Sequence, residues 1–370
     1  MRDASRILIG LVALMLSTSL ALAAPFAYIP NSNSGNVSVI DTAFNTVIAK
    51  VTTGLSPQAV AVNPAGAFVY VVQSIPTGIS VIDVASNTVS GFVPLNGFLQ
   101  GIAVNPAGTL AYVVNQSPSS LIVISTATNS VVATVPLGSL NPIGVAVNRA
   151  GTRVYVANAF SNSISVIDTS TNTVIAVVAV GAEPVGVDVN PAGTRVYVTN
   201  RNSNSVSVLD TTTNTVIATT PVGGAPTGIA VNPAGSRVYV TNRDGQLPST
   251  VSVIDTATNL VIGAVPVGIG PLGVDVSPDG MRVYVANAFS NNVSVIDTTI
   301  NALSNTVAVG VLPIALGHFI TPLAVAPAAT TIPTFSEWGL WMLVGLLAGT
   351  GAYRMRVTRR SVRGTLRVCG

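Results

Sequence analysis

A block of about 42 residues that recurs along most of the chain constrains the fold more than any other feature. Its clearest copy runs from Asn190 to Val231, with the sequence NPAGTRVYVTNRNSNSVSVLDTTTNTVIATTPVGGAPTGIAV. One tyrosine marks each copy, and successive copies lie 42 to 45 residues apart: Tyr28, Tyr70, Tyr112, Tyr155, Tyr197, Tyr239 and Tyr284. Such a period indicates a repeat architecture in which each unit buries its apolar face against its neighbours.

Each unit contains four short runs in which apolar and polar residues alternate, and this period of two predicts β-strands. We name them strands A to D. In the Tyr197 copy they are Val185–Val189, Arg195–Thr199, Ser205–Leu209 and Thr215–Thr220. Pro and Gly in the Asn190–Gly193 connection and Asx side chains in the Asp210–Asn214 connection are typical of tight turns. The unit is therefore predicted to be a four-stranded antiparallel sheet.

Four-stranded units of this length predict the blades of an all-β propeller, and seven copies predict seven blades. The first copy begins at strand B (Ala27–Asn31), and the last ends with an extra strand A (Ile314–Phe319). Pairing these two halves would remove both exposed sheet edges, so we expect a C-terminal strand to complete the N-terminal blade and close the ring. A parallel β-helix is the alternative, but it requires no complementary half-repeats at its ends.

The repeats Tyr197-Val-Thr-Asn200 and Tyr239-Val-Thr-Asn242, each followed by a Val-Ser-Val strand that ends in Asp, resemble the YVTN β-propeller repeat family. The resemblance covers residues 27–320 and is looser in the first three copies, where Gln73 replaces the Asn and Ser125 replaces the Asp. It implies a bacterial or archaeal extracytoplasmic propeller, often on the cell surface. It implies no particular activity, because related propellers range from surface-layer proteins to lactonases and haem-binding domains.

Residues 1–23 have the pattern of a signal peptide. Arg2 and Arg6 form a basic segment, Ile7–Leu16 is apolar, and Ala21–Ala23 is a small-residue cleavage site. An uncleaved anchor is the alternative, although the apolar run is short for a membrane span. We therefore predict an exported protein whose propeller occupies residues 24–320.

The C-terminal segment divides into a Pro/Ala/Thr-rich linker (321–331), a tripartite region (332–360) and a basic tail (361–370). The apolar run Leu340–Ala352 predicts a transmembrane helix, with tryptophans at one end and arginines at the other, cytoplasmic end. Before it lies a candidate sorting motif composed of Ile332, Pro333, Thr334, Phe335, Ser336, Glu337, Trp338 and Gly339.

This arrangement resembles the IPTL-CTERM sorting signal of Gram-negative bacteria, with Phe335 in place of Leu. The resemblance implies recognition and cleavage by an exosortase-type membrane protease. The protein would then reside at the cell surface or outside the cell. A permanent single-pass anchor is the alternative, and it would leave the propeller membrane-anchored in the periplasm.

Charge is distributed unevenly along the chain. Residues 24–322 carry eight basic and eleven acidic residues, for a net charge of −3, so the basic isoelectric point of about 9.2 comes from the ends. A mildly acidic domain argues against nucleic acid as a partner. Only 8% of residues are charged and 49% are apolar, which suits blades whose strands are buried on both faces.

The sequence offers few residues for chemistry. The one histidine, His318, lies in the predicted closing strand, where we expect it to pack inside the composite blade. The one cysteine, Cys369, lies in the tail, so no haem or zinc motif can be assembled, and no calcium loop occurs. We therefore predict no cofactor, no metal and no enzymatic role.

Two carboxylates depart from the repeat. Asp188 and Asp275 replace an alanine of strand A, which lines the central channel of a propeller. They could bind a cation or polar ligand there. Alternatively, they pair with the arginine that opens strand B (Arg195, Arg237 or Arg282). The second interpretation is favoured because Asp188 and Asp275 occur only in blades that carry such an arginine, and a buried carboxylate needs a partner.

The B–C and D–A loops are predicted to share one face of the ring, which we call the loop face. Its candidate binding residues are Phe160, Phe289, Arg201, Arg243, Asp244 and Glu183. Both phenylalanines could instead fold back onto their blades. The sequence thus predicts a non-catalytic binding or structural module at the cell surface, with a surface protein or glycan as its ligand. A lactonase-like hydrolytic propeller that uses acidic channel residues is the alternative.

Overall fold

The computed structural model describes residues 25–243 and 249–323. Across these ranges it contains 27 β-strands and one short 3-10 turn, Ala159–Ser161. The predicted signal peptide, residues 324–331 of the linker, the sorting motif, the transmembrane helix, the basic tail and Asp244 lie outside the described residues. Within the described ranges, no helix has the length and apolar character needed to cross a membrane.

The strands form seven antiparallel sheets, and within each sheet the strands lie in chain order. We number these blades 1 to 7. Blade 1 has three strands of its own, β1 (Phe26–Asn31), β2 (Asn36–Asp41) and β3 (Thr46–Thr52); blade 2 has β4 (Ala59–Val62), β5 (Phe68–Ser74), β6 (Thr77–Asp83) and β7 (Thr88–Pro94); blade 3 has β8 (Leu99–Val104), β9 (Leu110–Gln116), β10 (Ser119–Ser125) and β11 (Ser130–Pro136).

The remaining blades follow the same plan. Blade 4 has β12 (Pro142–Val147), β13 (Arg153–Asn158), β14 (Ser163–Asp168) and β15 (Thr173–Ala179); blade 5 has β16 (Pro184–Val189), β17 (Arg195–Asn200), β18 (Ser205–Asp210) and β19 (Thr215–Pro221); blade 6 has β20 (Pro226–Val231), β21 (Arg237–Asn242), β22 (Thr250–Asp255) and β23 (Leu260–Pro266); blade 7 has β24 (Pro271–Val276), β25 (Arg282–Asn287), β26 (Asn292–Asp297) and β27 (Ala302–Ala308). The predicted seven-bladed propeller is confirmed.

The repeated tyrosine lies between neighbouring blades. All seven side chains are buried, with exposures of 0 to 2%. The Tyr28 hydroxyl of blade 1 donates a 2.8 Å hydrogen bond to Asn87 Oδ1 in the β6–β7 turn of blade 2. Asn87 has a φ of 52°, a conformation that asparagine tolerates better than most residues. Tyr28 and Asn87 therefore connect blade 1 to blade 2.

The ring closes through Pro313–Thr321, which we call the closing segment. It is joined to β1 by the bridges Asn31↔Pro313 and Ala27↔Ile320 and does not form a continuous strand. The Tyr28 amide of β1 also donates a 2.9 Å hydrogen bond to the Phe319 carbonyl of this segment. Phe319 is completely buried in the apolar core shared by blades 1, 2 and 7. The predicted composite blade is thus present, with an irregular fourth member.

The face opposite the loop face, which we call the turn face, carries the A–B and C–D turns. In most blades the aspartate that ends strand C caps its own turn. In blade 4, Asp168 Oδ1 accepts hydrogen bonds from the backbone amides of Ser170 (2.9 Å) and Thr171 (3.2 Å). The hydrogen bonds from Ser170 and Thr171 lower the pKa of Asp168, because they stabilise the ionised carboxylate. This aspartate therefore has a structural role.

Exposed strand edges are confined to the perimeter. The outermost strand of every blade pairs with its neighbour through a β-bulge. A bulge increases the local twist and blunts an edge that could otherwise recruit another strand. The perimeter is therefore a poor template for edge-to-edge pairing.

Candidate functional site

The innermost strands surround a central channel with a cavity of about 120 Å³. Glycine recurs in these strands because neighbouring backbones approach closely. A Cβ added at Gly186 would lie 2.3 Å from the Thr227 carbonyl oxygen of the next blade, and one at Gly144 would lie 2.2 Å from that of Val185. The cavity lining is mostly apolar, and its charged members are Asp188 and His318.

Asp188 and Asp275 converge on His318 from different blades. The Nδ1 atom of His318 lies 3.0 Å from Asp275 Oδ1, and its Nε2 atom lies 3.4 Å from Asp188 Oδ1. The carboxylates are largely buried, with side-chain exposures of 9% and 7%, whereas the imidazole is 59% exposed to the channel. We call these three residues the channel cluster.

Both carboxylates also accept backbone hydrogen bonds. Asp188 Oδ2 accepts one from Val231 N of blade 6 at 2.8 Å, and Asp275 Oδ2 accepts from the amides of Phe319 and Ile320 at 2.8 and 2.9 Å. Each Oδ1 atom accepts from the amide of the residue that follows it in the chain. Each aspartate therefore connects its own innermost strand to that of the next blade.

The favoured pairing of Asp188 and Asp275 with the strand B arginines is wrong. The register of the sheets places Arg195 opposite Asp210 and Arg237 opposite Asp255, across the B–C pairing instead of the A–B pairing. The Arg237 guanidinium contacts Asp255, and that of Arg282 donates to the Thr42 carbonyl of blade 1. The arginines thus face outward from the channel, toward strand C and the neighbouring blade.

The predicted packing of His318 inside the composite blade is also wrong. Between the bridge to Asn31 and the bridge to Ala27, the closing segment spans eight residues (313–320). The equivalent stretch of blade 4 spans six (142–147), paired with Asn158 and Val154. The two additional residues bulge toward the ring axis and place the imidazole in the channel. Sequence alignment of the repeats could have revealed this insertion.

The environment of His318 has opposing effects on its pKa. Desolvation lowers the pKa, while the charges of Asp188 and Asp275 and their hydrogen bonds raise it, and the net result is a pKa well above the ordinary value of 6.5. The imidazole therefore holds its proton to a higher pH than an ordinary histidine, and Asp188 and Asp275 lie on either side of its ring. Among the described residues, no group of His, Cys, Asp or Glu has an arrangement that could hold a metal ion.

The loop face brings together most of the predicted binding residues. Phe160 and Phe289 are 68% and 56% exposed, so they do not fold back onto their blades. Arg201 forms a 2.6 Å ion pair with Glu183 in the same blade. The guanidinium of Arg243 lies 5.0 Å from the centre of the Phe289 ring, in cation–π geometry. Glu183 therefore lies at the opposite end of β16 from Asp188 and does not join the channel cluster.

Further apolar side chains extend this surface beyond the sequence prediction. Leu140 lies beside Phe160, and Ile269 lies beside Phe289, because their backbones hydrogen-bond across the base of the loops. The exposed large apolar residues of the loop face are Leu55, Ile75, Phe98, Leu140, Phe160, Ile269, Phe289 and Val311. The described loops on this face carry three charged residues, Glu183, Arg201 and Arg243. A search for aromatic residues alone missed the aliphatic members.

Two family models match the chain. Residues 189–274 match the family described as YNCE-like beta-propeller, and residues 330–356 match the IPTL-CTERM motif. The chain carries YNCE-like β-propeller repeats and an IPTL-CTERM motif. The resemblances to a YVTN-type propeller and to an IPTL-CTERM-type tail are thereby confirmed. No curated protein matches the chain.

Solved structures share the propeller fold. A chain of Kuenenia stuttgartiensis hydrazine synthase aligns with a TM-score of 0.67 and 23% identity, over 77% of this chain and 98% of that one. A functionally unknown protein from Desulfotomaculum acetoxidans DSM 771 aligns with a TM-score of 0.69 and 17% identity, over 80% and 99%. At these identities the likeness establishes the propeller architecture, and activity has to be argued from the residues.

Proposed function

We propose that this protein is an exported, surface-associated propeller that acts as a non-catalytic binding or structural module. The IPTL-CTERM motif supports delivery through an exosortase-type system, and the signal-peptide pattern of residues 1–23 supports export. The ligand in this proposal is a glycan or another surface protein, bound through the loop face.

The observation that carries the proposal is the chemistry of the loop face. Large apolar side chains stand exposed on short loops, while the charged residues there are engaged with each other or with an aromatic ring. Aromatic residues and arginine are enriched among the residues that dominate binding energy at interfaces. Loops held by a rigid scaffold are also where binding residues are commonly found.

Both ends of the described ring lie on the turn face. The amide of Phe26 donates to Thr321 Oγ1 at 2.8 Å, and the amide of Thr321 donates to the Phe26 carbonyl at 2.9 Å. This contact lies at the end of β1 that pairs with Asp41, which belongs to the turn face. The chain therefore enters and leaves the ring opposite the loop face.

The channel cluster gives little support to the hydrolytic alternative. Each carboxylate of the cluster accepts at least two backbone hydrogen bonds, at least one of them from a neighbouring blade, which supports a structural role for both. Both ring nitrogens of His318 face carboxylates, whereas a hydrolytic triad needs a hydroxyl or thiol nucleophile beside one of them. A lactonase-like activity would need a different group to supply the nucleophile.

A binding screen tests the proposal. Full-length protein would be applied to arrays of bacterial glycans and surface proteins, alongside the double variant Phe160→Ala/Phe289→Ala and the control Ile175→Ala. Ile175 is 46% exposed on the outermost strand β15, so the control removes a comparable apolar side chain away from the loop face.

We expect the screen to identify a ligand to which the wild type and the control bind equally well. The double variant should bind this ligand at least about tenfold more weakly, since aromatic residues at the centre of an interface contribute about 2 kcal/mol or more each. Equal binding by all three proteins would exclude the loop face as the site. Hydrolysis of lactone substrates that disappears in Asp188→Asn would instead establish the enzymatic alternative.

A further inference from the structure

The closing segment does more than complete blade 1, because its two additional residues enter the channel. Leu316 forms a parallel bridge with Ala59 of β4 in blade 2. The Val60 amide donates to the Leu316 carbonyl at 2.9 Å, and the Val62 amide donates to the His318 carbonyl at 3.1 Å. The segment is therefore paired with blade 1 on one side and with blade 2 on the other.

Gly317, at the centre of this bulge, lies close to the backbones of two other blades. Its φ is 106°, which favours glycine, and a Cβ there would lie 2.4 Å from the Val60 carbonyl oxygen and 3.1 Å from that of Ile102 in blade 3. Residues Leu316–His318 thus contact blades 2 and 3 directly, and His318 adds blades 5 and 7 through Asp188 and Asp275. We call Leu316–His318 the channel plug.

The charged groups around the plug are few. At the strand A position of Asp188 and Asp275, blades 2, 3, 4 and 6 present alanine: Ala61, Ala103, Ala146 and Ala230. Among the described residues that line the cavity, Asp188 and His318 are the titratable ones, and Asp275 contacts His318 from β24. Protonation of this single imidazole therefore decides whether the cluster has a net charge of −1 or −2.

We propose that the channel plug is a proton-controlled latch, in which the charged His318 forms ion pairs with Asp188 and Asp275 and thereby holds the closing segment in place. Loss of the proton would leave two carboxylates facing a neutral ring. The latch concerns the closure of the ring and is independent of the loop-face binding proposed above.

The direction of the pH dependence follows from the surroundings of His318. Partial desolvation in the channel opposes the charge and the two carboxylates favour it, and the balance places the pKa of His318 in the folded protein above that of the unfolded chain, about 6.5. A raised folded-state pKa means that the latch contributes its full stability below about pH 6.5. That contribution is lost as the pH rises through the folded-state pKa, so the latch weakens with increasing pH.

The chain has one histidine, so its titration can be followed by NMR of full-length protein without assignment ambiguity. We expect a pKa above 6.5 in the wild type, lowered by about one unit or more in Asp188→Asn and in Asp275→Asn. Glu183→Gln is the matched control, because it removes a carboxylate from the same blade as Asp188 but from the loop face. It should leave the His318 pKa unchanged. A wild-type pKa at or below 6.5, or one that neither Asn variant lowers, would overturn the proposal.

Hydrogen exchange tests whether the proton controls the closing segment. The amides of Phe319 and Ile320 should be protected below the measured His318 pKa, because both donate to Asp275. After correction for intrinsic exchange, we expect the protection factors of both amides to decrease as the pH rises through the His318 pKa. The total decrease should be about tenfold for each unit by which that pKa exceeds 6.5. His318→Gln should show the low protection at every pH, and the Val240 amide in β21 should not respond. Protection in the wild type that does not follow the titration would refute proton control even if the pKa is raised.

Discussion

The Tyr284 hydroxyl of blade 7 donates a 2.9 Å hydrogen bond to Asn45 Oδ1 of blade 1. These residues are 239 positions apart in the chain, yet they reproduce the contact that Tyr28 makes with Asn87 between blades 1 and 2. Asn45 has a φ of 53°, as Asn87 has 52°, so the turn conformation is the same. The last repeat therefore meets the first through the same contact that connects blade 1 to blade 2.

Tyr284→Phe should reduce the free energy of unfolding by about 1 kcal/mol, the usual net contribution of one hydrogen bond. Tyr155→Phe is the control, because its hydroxyl is buried and has no hydrogen-bond partner among the described residues. It should have a smaller effect. Urea denaturation of both variants measures the difference. Equal losses would mean that the Tyr284–Asn45 contact contributes nothing to closure.

Gly186→Ala should destabilise the ring strongly, by about 1–3 kcal/mol, the range for added atoms in a well-packed core. The added methyl group would lie 2.3 Å from the Thr227 carbonyl oxygen, and backbone cannot yield as a flexible side chain does. Gly263→Ala serves as the comparison, since a Cβ at Gly263 in β23 meets no atom within 4 Å. Thermal unfolding should show a lower Tm for the first variant and an unchanged or slightly higher Tm for the second. A tolerated Gly186→Ala would contradict the close approach of the innermost strands.

Phe319→Ala should cost about 3–5 kcal/mol, as for other large aromatic side chains deleted from a core. Phe319 is 0% exposed and packs in the core of the composite blade. Phe44→Ala, at a turn residue of blade 1 that is 75% exposed, removes the same side chain from the surface and should have little effect. Chemical denaturation compares the two. If Phe319→Ala were as stable as the control, the closing segment would not be part of the folded core.

The capped turns predict a loss of stability in acid. Hydrogen bonds from Ser170 and Thr171 depress the folded-state pKa of Asp168, so its contribution is present above the unfolded value of about 3.9 and is lost as the pH falls through the lowered pKa. Asp168→Asn should lower Tm at pH 7. The difference in Tm between wild type and variant should become smaller below about pH 3. A gap that stays constant across this range would show that ionisation of Asp168 is irrelevant.

Blade 3 offers the complementary test, because Ser125 stands where most blades have the capping aspartate. Ser125→Asp should raise Tm at pH 7, since the longer carboxylate can reach the amides of the turn as Asp168 does. Differential scanning calorimetry measures the increase in Tm of the variant over the wild type. This increase should be present at pH 7 and smaller at pH 3. An unchanged Tm at pH 7 would argue that this turn does not need the cap.

The candidate binding residues could be placed on one face from the sequence, since strand alternation puts all B–C and D–A loops on the same side of the ring. Phe160 and Phe289 are exposed there as the binding hypothesis required, and Arg201 meets Glu183 because their loops adjoin in blade 5. The aliphatic extension by Leu140 and Ile269 was not predicted, because exposure of a leucine or isoleucine depends on how much its neighbours cover it. A sequence pattern carries little information on that coverage.

The partners of Asp188 and Asp275 could not be obtained in this way. Their blades each contain an arginine, and proximity along the chain suggested an ion pair. The register instead places that arginine opposite a strand C aspartate, while Asp275 lies beside a histidine 43 positions later in the chain. Which side chains share the ring axis depends on the closure of all seven blades.

The sequence by itself determined the number of blades, their strand order, the tight turns and the closure of the ring, because each follows from a pattern repeated within about 42 residues. Only the tertiary structure decided the role of His318 and of the carboxylates around it. Their contacts arise where the two-residue bulge of the closing segment meets the channel, and that meeting depends on the curvature of the complete ring. Local pattern specifies a blade, whereas the chemistry at the axis is a property of the whole assembly of blades.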